Sequence, residues 1–303
     1  MKITVTKYPK PVLSPGIFSG NLAAPDALWA YHPVVIKRGL RYFMVYTGKS
    51  IGLGIKHHTL IATSDNLNDW KKEERVVLPA GKEGEWDSDF TAHGFVFEEG
   101  KTFSMLYDGS RVGDWQEEIG LAQSGDLRFW AKHTKNPVFR VGTSRWEKRH
   151  VSRCSIFKRQ GEYHLYYAGH DGERERIGLA TGKTLTSIAK RLPEPVLDVG
   201  GRGAWDEKSI SDPRVIQWRG EYLMFYSGID GKGIERTGVA TSPDLIHWRK
   251  YADNPILDVT GGGWDSISAS RAFPFVENNR ITLFYSGRKK YFYGIGMAGV
   301  AIV

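Results

Sequence analysis

Cysteine is nearly missing from this chain. One residue, Cys154, occurs among 303, so no disulfide can close within it. The framework logic of small secreted domains therefore does not apply. Cys154 sits in the apolar phrase RCSIF, where a thiol is expected to be buried and inert. Long hydrophobic runs are missing too: no window approaches the ~20 apolar residues of a membrane span. The opening MKITVTKYPKPVLSPG lacks the apolar stretch of a signal peptide. A cytoplasmic location with no membrane partner is expected. Charge of one sign never forms a block; KRGLR and EKRHVSR are short and mixed. The net charge of +8 thus reads as a basic solvated surface, with no nucleic-acid partner expected. Helical periodicity is absent over any useful length.

What is present is aromatic and repetitive. Aromatics make up 13% of the chain, with ten Trp, in a composition of 41% apolar and 25% charged residues that suits a folded protein. Five segments end alike: YFMVYTG, TFSMLYDG, YHLYYAG, YLMFYSG and ITLFYSG. Their last tyrosines are Tyr46, Tyr107, Tyr167, Tyr226 and Tyr285, a period of about sixty residues. Trp86, Trp146, Trp205 and Trp264 each precede an acid, and Asp26 holds the matching place in the first unit. Recurring so regularly, these acids are expected to tie loops down.

Around each tyrosine phrase lie further strand-like phrases. TLIATS, IGLAQS, IGLATG, TGVATS and YGIGMAG supply a third strand, and RVVLPAG, NPVFRVG, EPVLDVG and NPILDVT a fourth. A four-stranded sheet cannot bury both faces alone, so the units must stack, and radial stacking gives a β-propeller. The fifth unit ends after its third strand, and YPKPVLSPG at the start reads as its fourth. The expectation is all-β: one five-bladed propeller over residues 1–303, with four-stranded blades and a ring closed by the N-terminal strand.

Strand one of each blade lines the channel of a propeller. Alignment puts His32, His93, Arg153, Asp212 and Arg271 at its head. Pro213 restricts the chain beside Asp212, and a carboxylate among cationic groups is expected to stay ionised. Glycoside cleavage needs a second carboxyl group. Asp89, which breaks the repeat, and Glu207, beside the mouth of the fourth blade, are the candidates. Glu117, Glu175 and Glu235 recur before strand three and read as partly scaffold, whereas Asp108, Asp171 and Asp230 read as loop turns after strand two. Trp29 and Trp115 could floor a sugar ring, and His170 and Arg288 could reach a ligand. The adjacent His57 and His58 point oppositely in a strand, so no metal and no cofactor is expected.

The stretch SDPRVIQWRGEYLMFYSGIDGKGIERTGVATSPDLIHW resembles a blade of the five-bladed propeller glycosidases, the superfamily of glycoside hydrolase families 32, 43, 68, 117 and 130. The resemblance spans the chain at the level of the blade repeat. It implies a carbohydrate-active protein with Asp212 as a functional carboxylate. The hydrolases place carboxylates on three blades; here the first blade offers His32, and no third axial glutamate is evident. The SDPR form resembles the mannoside phosphorylases of family 130, whose cationic residues hold phosphate. Three outcomes are open: a family-43-like glycoside hydrolase, a phosphate-dependent phosphorylase, or a glycan-binding propeller without catalysis. The expected partner is an oligosaccharide or glycoside, acidic or accompanied by phosphate. In the enzyme readings Asp212, Asp89 and Glu207 are catalytic, and His32, His93, Arg153, Arg271, Trp29, Trp115, His170 and Arg288 hold substrate.

Overall fold

The computed structural model describes residues 1–51, 57–114, 116–190 and 192–303. Among these, the structure is nearly all β; the helical elements are short 3-10 turns at Gly16–Ser19 and Arg145–Glu147. After β1 (Ile3–Lys7) the strands fall into five units. The first holds β2 (Trp29–Arg38), β3 (Arg41–Lys49), β4 (His57–Ser64) and β5 (Lys71–Leu78). The second holds β6 (Phe90–Glu99), β7 (Thr102–Ser110), β8 (Glu118–Ser124) and β9 (Ala131–Lys132). The third holds β10 (His150–Arg159), β11 (Glu162–His170), β12 (Glu175–Gly182) and β13 (Ala189–Lys190). The fourth holds β14 (Ser209–Trp218), β15 (Glu221–Ile229), β16 (Glu235–Ser242) and β17 (Arg249–Lys250). The last holds β18 (Ser268–Glu277), β19 (Arg280–Lys289) and β20 (Phe292–Ile302). β1 joins that unit antiparallel, from Ile3 opposite Ile302 to Lys7 opposite Ala298.

Successive side chains of a strand point to opposite faces, and both faces are covered here. Phe43 and Val45 of β3 join a core with Met105 and Tyr107 of the second unit. Their neighbours Met44 and Tyr46 join another with Phe284 and Ile295 of the last. Likewise Leu223 and Phe225 of β15 pack with Leu283 and Tyr285, whereas Met224 and Tyr226 pack with Tyr166 and Leu179. This double burial is why the tyrosine phrases are continuous apolar runs rather than alternating ones. The first strands also meet in succession: β2 touches β6, β6 touches β10, β10 touches β14, β14 touches β18, and β18 touches β2.

The recurring acids do tie loops down. Asp26, Asp87, Glu147, Asp206 and Asp265 each accept the hydroxyl of the tyrosine twenty residues on, at 2.7–3.3 Å. Lys72, Lys132, Lys250 and Lys7 pair with the four aspartates. In the four units that have it, the tryptophan before the acid packs against the glycine that ends the tyrosine phrase. A Cβ at Gly287 would run into the Trp264 ring, so only glycine fits there.

The fourth strands differ from the expectation. In the second, third and fourth units they are the two-residue β9, β13 and β17, upstream of the expected phrases. NPVFRVG, EPVLDVG and NPILDVT contribute single bridges at Phe139, Leu197 and Leu257. In the last unit the paired strand is likewise β1, and YPKPVLSPG gives one bridge at Leu13. Proline in each phrase removes a ladder donor and stops the pairing.

Candidate functional site

β2, β6, β10, β14 and β18 all break register at the same place, between Tyr31 and Val34, Ala92 and Phe95, Ser152 and Ser155, Ser211 and Arg214, and Ser270 and Phe273. At each break one residue takes a left-handed backbone: His32, His93, Arg153, Asp212 and Arg271, with φ between 50° and 57°. Such a bulge re-aims a side chain, and a non-glycine residue in this conformation is strained unless its surroundings hold it. Neighbouring units supply the hold. The His32 amide donates to Ser286 Oγ at 2.8 Å and the His93 amide to Thr47 Oγ1 at 2.9 Å. The Arg153 amide donates to Asp108 Oδ2 and the Arg271 amide to Ser227 Oγ, both at 2.8 Å. Each acceptor directly follows the repeated tyrosine of the preceding unit; the third unit has Ala168 there, with no such oxygen.

The five residues form the floor of one polar cluster. His32 Nε2 donates to Asp212 Oδ1 at 2.8 Å, and Ser211 Oγ donates to Asp212 Oδ2 at 3.0 Å. Burial would raise the Asp212 pKa, but the His32 hydrogen bond and the Arg271 and Arg153 charges hold it well below the usual carboxylate range. Burial keeps His32 neutral. The His32 and His93 rings lie 4.7 Å apart. His93 Nδ1 meets Asp108 Oδ2 at 2.8 Å, its Nε2 meets the Tyr31 hydroxyl at 3.1 Å, and that hydroxyl meets His57 Nδ1 at 2.8 Å. Burial drops both His93 and His57 to about 3. Burial pushes Asp108 up to about 7, against the downward pull of the Arg153 amide and guanidinium.

The rim is built from residues within one position of the start of strand three: His57, Glu117, Glu175, Glu235 and Tyr293. Arg153 Nη1 donates to Glu175, and His150 Nε2 lies 3.5 Å from the same carboxylate. Burial would raise Glu175, but Arg153 and His150 hold it at about 2. Arg271 Nη1 donates to Glu235, which also accepts from Ser268 and Ser270 and, at 3.3 Å, from the Tyr293 hydroxyl. Against its burial, the Arg271 and Arg288 charges keep Glu235 low. Exposure grades across the cluster: the side chains of His32 and Asp212 are 1% exposed, those of Glu175 and Glu235 10%, and that of Arg288 27%.

Other expected site residues fall around this rim. Trp29 packs edge-on against Tyr31 and Tyr293, with the Lys49 ammonium 3.9 Å over its ring. His170 stacks on His150 at 4.5 Å, and Arg288 reaches Glu235 at 3.4 Å. Trp115 lies outside the described residues. Asp89 stands half-buried just ahead of β6, its amide on Ser110 O. Glu207 accepts from the Gly203 and Gly231 amides, so its carboxylate bridges two loops. Asp171 and Asp230 do form the expected loop turns. Asp108 does not: it lies inside β7, fully buried on His93 and Arg153. Glu175 and Glu235, read as partly scaffold, are the carboxylates that meet the strand-one arginines. Their shared place in the repeat hid them, although that place was itself the signal, since strand three begins beside strand one of the next unit. Among the described residues His93, Asp108 and Glu117 bring ligand-type atoms within 4.8 Å of one another. In that group His93 is hydrogen-bonded to Asp108 through Nδ1 and to Tyr31 through Nε2.

No family model matches the chain. It is 26% identical over 211 residues to an uncharacterized protein of Mycobacterium tuberculosis, covering 67% of each protein. It is also 26% identical over 200 residues to a 1,2-beta-oligomannan phosphorylase of Thermoanaerobacter, covering 65% of this chain and 60% of that protein. A glucosamine inositolphosphorylceramide transferase of rice shares 25% identity over 200 residues, and there the matched stretch is 24% of the longer protein. Among solved structures, BT0996 in its RGII complex superposes with a TM-score of 0.82 at 19% identity, covering 99% of this chain and 93% of that one. A beta-1,2-mannobiose phosphorylase from Listeria innocua gives 0.76 at 12% identity over 97% and 96%, and a thermostable family-43 glycoside hydrolase gives 0.70 at 20% over 89% and 88%. At the level of fold these structures match the resemblance seen in the sequence.

Proposed function

We propose that the five units are blades of one closed β-propeller, that the polar cluster lies in a pit at its axis, and that this pit cleaves glycosidic bonds by hydrolysis. The succession of strand-one contacts, returning from β18 to β2, supports the ring, and the pairing of β1 with β20 supports its closure. One observation carries the chemistry: Glu175 and Glu235 each pair with a strand-one arginine, Arg153 and Arg271, whose charges also hold the buried Asp212 ionised.

Glycoside cleavage passes through a cation-like sugar and needs a proton on the leaving oxygen. Three ionised carboxylates stabilise the positive charge. The proton is held elsewhere. Asp108, up at about 7, begins a hydrogen-bonded line through His93 and Tyr31 to His57. Environments that push carboxyl groups apart in this way divide acid from base roles. In this scheme Asp212 is a charge stabiliser, and Glu175 and Glu235 are the groups that contact the sugar. Asp89 and Glu207 take no catalytic part.

The pit disfavours phosphorolysis. Burial keeps His32, His57 and His93 neutral, and Arg153 and Arg271 each pair with a glutamate, so little positive charge is left to hold phosphate. The test is a panel of aryl glycosides and small oligosaccharides assayed with and without inorganic phosphate. Sugar release independent of phosphate is expected, and it should be lost in Glu175→Gln and Glu235→Gln. Release that requires phosphate would replace hydrolysis with phosphorolysis. Binding without any product would leave a glycan-binding propeller.

A further inference from the structure

Four of the five bulges are latched by a side chain of the preceding unit, and the exception is the one that carries Asp212. Ala168 stands where the other units place Ser286, Thr47, Asp108 and Ser227, so no hydroxyl or carboxylate at that place receives the Asp212 amide. Yet φ at Asp212 is 54°, as left-handed as at its counterparts. A conformation of this kind persists only where the surroundings hold it.

The same strand breaks the repeat a second time. The residue two places past the bulge is Val34 in the first unit, Phe95 in the second, Ser155 in the third and Phe273 in the last, but Arg214 in the fourth. Arg214 is 3% exposed, with its guanidinium 5.3 Å from the Phe95 ring. Among the described residues no carboxylate forms an ion pair with it. Arginine keeps its charge inside a protein, and a buried charge without a contacting counter-charge is costly. Burial accordingly draws the Arg214 pKa down, against the upward pull of Asp212. The guanidinium spends its hydrogen bonds on two bulge carbonyls. Nη1 donates to Pro213 O at 2.8 Å and to Cys154 O at 3.0 Å. Pro213 lies within the β14 bulge, and Cys154 directly follows Arg153 within the β10 bulge. One side chain thus ties the two bulges together, by bonds of the stronger, charge-assisted kind.

We infer that Arg214 is the positioning residue for Asp212: its guanidinium replaces the latch that Ala168 cannot supply, and holds the carboxylate where it meets His32. The inference rests on the reading of Asp212 as a charge stabiliser for its catalytic consequence alone; the latch can be observed without a substrate. The repeat also provides a way to replace it. Ala168→Ser returns the hydroxyl that the other units use, at a place where they accommodate Ser, Thr or Asp, and it should make Arg214 dispensable.

The experiment compares the wild type with Arg214→Met, Arg214→Lys and the double variant Arg214→Met with Ala168→Ser. One readout is the Nε2 proton of His32, followed by nuclear magnetic resonance in protein carrying isotope-labelled histidine. Its bond to Asp212 and its 1% exposure should keep that proton in slow exchange. The other readout is turnover of the aryl glycosides that the wild type hydrolyses. Arg214→Met should stay folded by circular dichroism and lose the slow His32 proton. Its kcat should fall at least about tenfold with KM changed less than about twofold, because a misplaced charge weakens the transition state rather than substrate binding. Arg214→Lys keeps a charged donor and should retain part of both signals, and the double variant should recover both. Wild-type behaviour of Arg214→Met in both readouts overturns the inference, as does a loss that Ala168→Ser leaves unrepaired. Should Arg214→Met not fold, recovery of the fold and of the His32 proton in the double variant supports the latch, and a double variant that also fails to fold overturns it. The two readings fail separately. With no hydrolysis by the wild type, the His32 proton still reports the latch; turnover lost in Arg214→Met while that proton is unchanged keeps the enzyme and removes the latch.

Discussion

At Asp212 two physical demands meet in one residue. Its backbone must take a left-handed conformation, φ 54°, and its side chain must stay ionised while 99% hidden from solvent. Asn satisfies the first demand, being one of the few residues that tolerate this conformation, and fails the second. Asp212→Asn is therefore expected to keep the folded structure by circular dichroism and lose at least about a hundredfold in kcat, as removal of a preorganised charge does. Wild-type turnover in that variant would remove Asp212 from the mechanism. A second prediction concerns proton binding. His57 and His93 sit at about 3 in the folded protein, mainly through burial, against an ordinary value near 6.5. Between these values the unfolded chain binds more protons, so each contributes stability that is present above pH 6.5 and lost as pH falls towards 3. Asp108, raised to about 7, acts oppositely and weakens the fold as pH climbs from about 4 to 7. His57→Gln should flatten the acid limb of a stability-versus-pH curve by up to one proton, ~1.4 kcal/mol per pH unit. An unchanged limb in urea titrations would show that His57 is not held neutral.

The bulged first strand is the element that turns a repeat into a site. Five strands bend at one register position, and hydroxyl or carboxylate acceptors on the preceding unit hold four of the bends. Removing one acceptor leaves a buried amide facing an apolar wall, which costs about 1–3 kcal/mol. Ser227→Ala is expected to lose stability in that range and also to weaken ligand binding, because the bulge it holds carries Arg271 and through it Glu235. Denaturant unfolding and binding titrations should move together; a stability loss with unchanged binding would make the contact merely structural. The fourth strands show a limit at this scale. The apolar residues of NPVFRVG and its kin mark a strand by type, but proline in the phrase stops the ladder, so pairing falls back on two residues upstream.

Across the whole molecule, the two ends of the chain are joined by β1 on β20. Strand β20 begins with Phe292 and Tyr293, and Tyr293 sends its hydroxyl to Glu235. Deleting residues 1–7 strips the outer strand from the last unit and frees the Lys7 partner of Asp265. It should lower the calorimetric midpoint by several degrees and broaden the transition, as an unpaired sheet edge loosens the unit that bears it. A truncated chain melting like the full one would mean that β1 is not a closing strand.

Periodicity, read from the amino acids alone, was sufficient for the repeat, the all-β class, the tied loops and the five positions at the head of strand one. Each is a local or evenly spaced property. Strand pattern follows from residue type, and equal spacing converts five distant residues into equivalent ones. Charge state and partnership are not local. Asp108 reads as a turn residue until a bulge on the next unit brings the Arg153 amide to it. Glu175 and Glu235 read as scaffold until inter-strand packing sets them against Arg153 and Arg271. Only the tertiary structure could decide those roles, because burial and the neighbours it brings determine which carboxyl group keeps its proton and which is held ionised.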